Sequence, residues 1–240
     1  MTSGPAQRGE EGGRGDARIT HAMEDYLKAV FHLQSDGGAV STQALAEELG
    51  VAPASATNMV KRLHELRLVE HAPYRGVRLT ESGTRVALEV VRHHRLLELY
   101  LAETLGYGWD EVHDEAERLE HLVSDELEAR MDRVLGFPRR DPHGDPIPTA
   151  EGDIEVDDAV CLADLGEGAT GEVVRVSDRD PERLRRIGGL GLRPGASVSM
   201  IDGRGAEDVL RVEVDGVERH VDAEAAEAVV VRLAPSADDA

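Results

Sequence analysis

The most constraining stretch runs from Ile19 to Thr80, where apolar residues fall into three short helical patterns and one pair of strands. Tyr26, Leu27, Val30, Phe31 and Leu33 recur at three- and four-residue intervals until Asp36-Gly37-Gly38, as one buried helix face requires. Ser41 is placed to cap a second helix, Thr42–Leu49, which Gly50 closes. Pro53 opens a third that runs to Leu66. Leu68-Val69-Glu70-His71 and Val77-Arg78-Leu79-Thr80 then read as strands joined by a turn at Ala72–Gly76. Leu45, Ala46 and Leu49 would face Met59, Val60 and Leu63 across a tight turn at Val51. This order predicts a winged helix-turn-helix. The competing description is any three-helix domain with a hairpin.

Charge favours the first description. The whole chain carries −21, distributed as −2 over residues 1–83, −7 over 84–148 and −12 over 149–240. Within 53–80 the sign reverses, because Lys61, Arg62, Arg67, Arg75 and Arg78 outnumber Glu65 and Glu70. Such a chain should bind random DNA weakly yet keep a local positive face for double-stranded operator DNA. Ser55, Thr57 and Asn58, with Lys61 one turn later, are placed to reach base edges from the third helix. Tyr74 and Arg75 at the hairpin tip, together with Lys61, suit phosphate contacts that position without specifying.

The remaining chain is long enough for further domains. Thr84–Thr104 and Asp110–Leu135 are helical patterns whose apolar faces exceed what two helices can cover for each other. Homodimerisation through this segment resolves the excess, and paired half-sites need paired subunits. Trp109, next to Gly108, is expected to anchor the turn between the two helices. Arg139–Ile154, rich in Pro, Gly and Asp, reads as a linker, within which His143 is a loop residue. Beyond it the period shifts towards two at Gly171–Val176, Ser197–Ile201, Val209–Val214, Val217–Val221 and Val229–Leu233, with Asp215-Gly216 as a hairpin turn. The fold class expected is mainly α with β. Its parts are a disordered tail (1–18), a winged helix-turn-helix (19–83), a helical dimerisation and metal-binding domain (84–148), a linker (149–160) and a small SH3-like β-barrel (161–235). No apolar run approaches a membrane span, and Met1–Asp16 has no signal-type segment, so a cytoplasmic protein without membrane partners is expected. The single cysteine, Cys161, excludes a disulfide framework and reads as a small buried residue at the start of the barrel.

Chemistry concentrates in His113-Asp114-Glu115-Ala116-Glu117-Arg118-Leu119-Glu120-His121. On a helix, His113, Glu117, Glu120 and His121 share one face. His94 and Glu98 form a second pair four residues apart on the preceding helix. Imidazoles beside several carboxylates on neighbouring helices make a divalent-metal arrangement. A solvated acidic helix face is the other reading of the same residues.

The order of domains resembles the diphtheria toxin repressor family of metal-dependent transcriptional repressors, over roughly residues 19–235. The motifs that carry the resemblance are Met23-Glu24-Asp25-Tyr26-Leu27, Arg92-His93-His94-Arg95-Leu96-Leu97-Glu98, and the run from Val112 to His121, with Arg139–Pro148 in a further family-like stretch. The resemblance implies a primary regulatory metal site of Asp25, Glu117, Glu120 and His121, and a second of His94, Glu98 and His113. Asp25 and Glu117 stand where iron-responsive members place Met and Cys, which implies the manganese-responsive branch. Oxygen ligands suit Mn²⁺, the weakest binder of the divalent series. Lys28 occupies a position where some manganese regulators have a metal-binding glutamate, which disfavours their binuclear arrangement. The family's barrel ligands fall near Asp180 and Arg183, of which Asp180 alone could coordinate. The expected function is a Mn²⁺-dependent repressor of metal-uptake genes in which metal locks the dimer for operator binding. An Fe²⁺-dependent repressor and a regulator responding to a non-metal ligand are alternatives. A di-metal carboxylate enzyme is a further one, but it would need a second Glu-x-x-His, which Thr84–Thr104 lacks.

Overall fold

The computed structural model describes residues 19–34, 38–72, 75–203 and 209–234. The expected tail at 1–18, the helix stop at Asp36-Gly37 and the candidate phosphate contact Tyr74 lie outside them. The chain divides into two compact units, Met1–Gly83 and Thr84–Ala240.

In the first unit, α1 (His21–Leu33) buries Met23, Leu27 and Val30. The Ser41 hydroxyl accepts from Ala44 N–H at 3.0 Å and so starts α2 (Thr42–Glu48). Gly50, at φ +61°, turns the chain into α3 (Pro53–Glu65), and Leu45 and Ala46 of α2 are buried alongside Val60 and Leu63 of α3. Then β1 (Val69–Ala72) pairs antiparallel with β2 (Gly76–Leu79), and Val40 bridges to Val77. This is a winged helix-turn-helix.

The second unit begins on α4 (Glu81–Leu105). The stretch Asp110–Leu135, expected as one helix, is broken into α5 (Val112–Leu119), a 3₁₀ turn at Glu120–Leu122, and α6 (Asp125–Val134). Val123 is extended, and the Ser124 hydroxyl accepts from Leu127 N–H at 3.3 Å. A capping hydroxyl followed by Asp125, Glu126 and Glu128 stabilises a new helix start more than continuation would. Leu122, Leu127, Val134 and Phe137 stay exposed, an apolar surplus of the kind a second subunit would cover.

The first half of the expected linker is fastened rather than free. Arg92 donates to Glu128, Asp132 and the Pro148 carbonyl, and Arg95 to Asp145 and the Pro146 carbonyl. These buried α4 guanidinium groups hold the Pro-rich loop along the helix.

The barrel follows: β3 (Val160–Cys161), β4 (Thr170–Val176), α7 (Pro181–Gly189), β5 (Ser197–Asp202), β6 (Val209–Val214), β7 (Val217–Asp222), α8 (Ala223–Glu227) and β8 (Val229–Leu233). The sheet order is β3-β8-β4-β5-β6-β7, every neighbour antiparallel. Inward residues such as Val173, Val198, Met200, Val212 and Val231 pack with Leu184 and Ile187 of α7. Cys161 is half-buried, its thiol 3.3 Å from the Ala226 carbonyl. The barrel also packs on the helices. Trp109, expected to anchor the turn between the two helices, lies against Gly188 with the Arg193 guanidinium 4.3 Å over its ring. Val176 N–H donates to the His143 carbonyl at 2.9 Å, and at Gly144 (φ +90°) a Cβ would fall 2.0 Å from the Val174 carbonyl oxygen. No helix among the described residues is long and apolar enough to cross a membrane.

Candidate metal centre

The middle of α4 places His94 and Glu98 one turn apart on a buried face. Glu98 is fully buried among three imidazoles: His94 Nε2 at 3.0 Å, His113 Nδ1 at 3.4 Å and His143 Nδ1 at 3.7 Å. None of these is aligned as a hydrogen bond, so both Glu98 oxygens and His143 Nδ1 are buried without one. His143 itself is held from the other side, where Nε2–H donates to the Trp109 carbonyl at 2.6 Å. That leaves Nδ1 directed at Glu98 and, 3.9 Å away, Asp178. Asp178, on the loop after β4, accepts from His113 Nδ1–H at 2.8 Å. Asp141 completes the group; its carboxylate accepts from the backbone N–H of His143 and of Asp145, which fixes the loop around it.

The electrostatics show what this group lacks. Burial alone would raise the Glu98 carboxyl, but the charge of His94 and the contacts with His113 and His143 hold it well below the usual range. Burial would lower the imidazoles, yet Asp178 and Glu98 push His113 up to about 10, and Glu98, Asp141 and Asp178 push His143 up to about 9. Burial, with the charge of Glu98 and Asp145 added, drives Asp141 upward. Glu98 and Asp178 therefore keep protons on the imidazoles beside them, while Asp141 is pushed towards its own protonated form. A divalent cation would supply that balance. Oxygen and nitrogen donors from His94, Glu98, His113 and Asp178, and from Glu98, Asp141 and His143, come within 4.8 Å of one another. Buried Glu98 oxygens and a buried imidazole nitrogen with no hydrogen bond are what a coordinated ion satisfies, so the residues fit a metal.

A second grouping adjoins the first. His94 Nδ1–H donates to buried Glu120 at 2.6 Å, and Glu117 brings an oxygen within the same 4.8 Å. His121 Nε2 lies 3.6 Å from Glu120, and Glu117 is exposed. Glu120 opens the 3₁₀ turn after Leu119 and is buried, in line with Val112 and Ala116 at four-residue intervals along α5. Asp25 lies half-buried on α1 of the first unit, one turn before buried Lys28.

The DNA-facing candidates sit on α3 as expected for Ser55, Asn58 and Lys61, all exposed. Thr57 is half-buried, and its hydroxyl donates to the Pro53 carbonyl at 2.9 Å. Arg75 is exposed beside the hairpin turn.

Comparison with known proteins accounts for the whole plan. Residues 18–77 match the iron dependent repressor N-terminal DNA binding domain, 80–149 its metal binding and dimerisation domain, and 160–233 the FeoA domain. The chain is 32% identical to the diphtheria toxin repressor of Corynebacterium efficiens over 197 residues, 78% of this chain and 86% of that one. It belongs to the diphtheria toxin repressor family. The iron-dependent repressor IdeR of Mycobacterium bovis is 33% identical over 76% of this chain and 84% of its own. Among solved structures, a manganese-dependent transcriptional repressor in complex with manganese is 44% identical, covering 88% of this chain and all of its own at a TM-score of 0.83. The manganese regulator SloR is 31% identical at a TM-score of 0.73, covering 90% of this chain and all of its own.

Members of the diphtheria toxin repressor family are metal-dependent transcriptional repressors, which makes this chain a DNA-binding repressor and not an enzyme. Its metal-binding domain is the segment that carries His94, Glu98, His113, Glu117, Glu120, His121, Asp141 and His143. Asp141, His143 and Asp178 were missed by sequence reasoning. Asp180, the expected barrel candidate, instead caps α7 by accepting from the N–H groups of Glu182 and Arg183. The available signal was Asp180-Pro181, a helix start that releases Asp178, two residues earlier, for the cluster.

Proposed function

We propose that the chain is a manganese-dependent repressor that acts in the cytoplasm as a homodimer on double-stranded operator DNA near metal-uptake genes. The observation that carries the metal requirement is the buried Glu98 carboxylate with three imidazoles around it and no hydrogen bond of its own. We assign His113, Asp141, His143, Asp178 and Glu98 to one centre. Asp25, Glu117, Glu120 and His121 form the other, on the strength of the family motifs that these four residues match. His94 adjoins both.

Manganese is favoured over iron because carboxylates stand at Asp25 and Glu117, where the iron-responsive branch carries sulfur. Hard oxygen donors select by geometry against softer, tighter-binding ions. The manganese-dependent repressor at 44% identity supports the same choice. When bound, the cation supplies positive charge among carboxylates that otherwise repel. Asp25, Glu117 and Glu120, the carboxylates assigned to one centre, are the groups whose repulsion a cation would relieve, and Ser55, Thr57, Asn58 and Lys61 would be the residues to meet the major groove. Arg75, with Tyr74, is assigned to the phosphates.

Full-length protein should retain duplexes from a randomised library in MnCl₂ and release them on chelation. Anaerobic titration with Mn²⁺ and Fe²⁺ separates the two metals; retention that is indifferent to either would overturn the reading.

A further inference from the structure

His94 stands between two buried carboxylates, with Nδ1 2.6 Å from Glu120 and Nε2 3.0 Å from Glu98. One ring thus meets the distance requirement of both groupings, with Glu98, His113 and Asp178 on one side and Glu117 and Glu120 on the other. A neutral imidazole carries one N–H and one lone pair. Coordination uses the lone pair, and the remaining N–H points to a carboxylate, the usual support of a ligating histidine. Here each nitrogen has such a carboxylate opposite it. Ligation through Nε2 leaves Nδ1–H on Glu120; ligation through Nδ1 leaves Nε2–H on Glu98.

We propose that His94 is a ligand shared by the two centres and available to only one at a time, so that filling either centre weakens the other. The inference rests on the two-centre reading above. The sign follows from the chemistry: a centre that loses a nitrogen ligand loses more than it gains from a better-oriented carboxylate. The Glu98 side keeps two other imidazoles, His113 and His143, whereas His121 is the other imidazole assigned beside Glu117 and Glu120. The Glu117–Glu120 side is therefore the one that suffers most when His94 is withdrawn.

The chain carries its own probe. Its single tryptophan, Trp109, has its carbonyl bonded to His143 and its ring 5.8 Å from that imidazole, so quenching by paramagnetic Mn²⁺ reports the Glu98 centre. Full-length protein is titrated with MnCl₂, with total bound metal counted by electron paramagnetic resonance and the Glu98 centre followed by Trp109. Disabling the other centre with Glu117→Gln and His121→Ala should raise the Trp109-reported affinity about fivefold or more. The same pair of substitutions should change nothing in His94→Ala, or in His94→Gln if the alanine variant fails to fold by circular dichroism. No rise while His94 is present, or a rise that persists without it, overturns the sharing and leaves both centres standing. Failure of the parent chain to bind Mn²⁺ at all overturns the two-centre reading and the sharing with it.

Discussion

The Glu98 centre and the Glu117–Glu120–His121 face border the same imidazole, yet they are assembled in opposite ways. The first draws on α4, α5, the loop at 141–143 and the barrel loop at 178, and its central carboxylate is fully buried. The second takes Glu117, Glu120 and His121 from five consecutive residues around the end of α5, with Asp25 of α1 assigned to it, and has an exposed carboxylate at Glu117. A site drawn from distant segments cannot exist before those segments pack, so the first ties metal to the integrity of the second unit. A site whose ligands within the second unit are local, one of them exposed, would gain and lose an ion without unfolding that unit. On the proposed assignment, the buried centre would hold the fold and the open one would report the ion's concentration.

Four measurements sharpen or break that contrast. The largest effect is expected from Asp25→Ala, which should cut Mn²⁺-dependent duplex affinity by about 100-fold while leaving the dimer intact by size-exclusion chromatography; unchanged affinity would remove the open centre from control. Glu98→Ala takes a buried carboxylate away from His143 and His113, the latter keeping Asp178, and should cost about 3 kcal/mol in urea unfolding without metal, where Glu117→Ala, being exposed, should cost almost nothing.

The third is pH. His113 and His143 rise from 6.5 to about 10 and about 9, so in the metal-free protein their contribution to stability is complete below pH 6.5 and is lost as pH climbs through 9 to 10. Metal needs both nitrogens unprotonated, so its affinity for the buried centre moves the other way and increases with pH. Calorimetric titration in two buffers of different ionisation enthalpy should count proton release approaching two per ion near neutrality, and release of none would contradict the assignment. The smallest effect separates neighbours: Asp178→Asn should weaken Trp109-reported binding, whereas Asp180→Ala should lower only the melting temperature, slightly, through the lost helix cap.

The same contrast explains what could be read in advance. Local spacing exposes local chemistry, so Glu117, Glu120 and His121 were legible on one helix face, as were His94 with Glu98, and the winged helix with its Ser41 cap. Asp178 and His143 come to Glu98 only through barrel packing, and no periodicity encodes a distance between residues 98 and 178. The break after Leu119 was hidden for another reason: Ser124 is an ordinary residue on a helix surface until its hydroxyl takes a backbone N–H. The Pro-rich stretch misled because composition shows where a chain cannot be helical, not whether arginines such as Arg92 and Arg95 pin it down.

Gly144 contributes no side chain, yet two main chains nearly touch across it. A single methyl there would act as a wedge, lifting the His143 loop off the sheet and withdrawing that imidazole from Glu98. The buried centre thus depends on a residue without chemistry of its own, and a scan limited to coordinating side chains would overlook a mutation able to dismantle it.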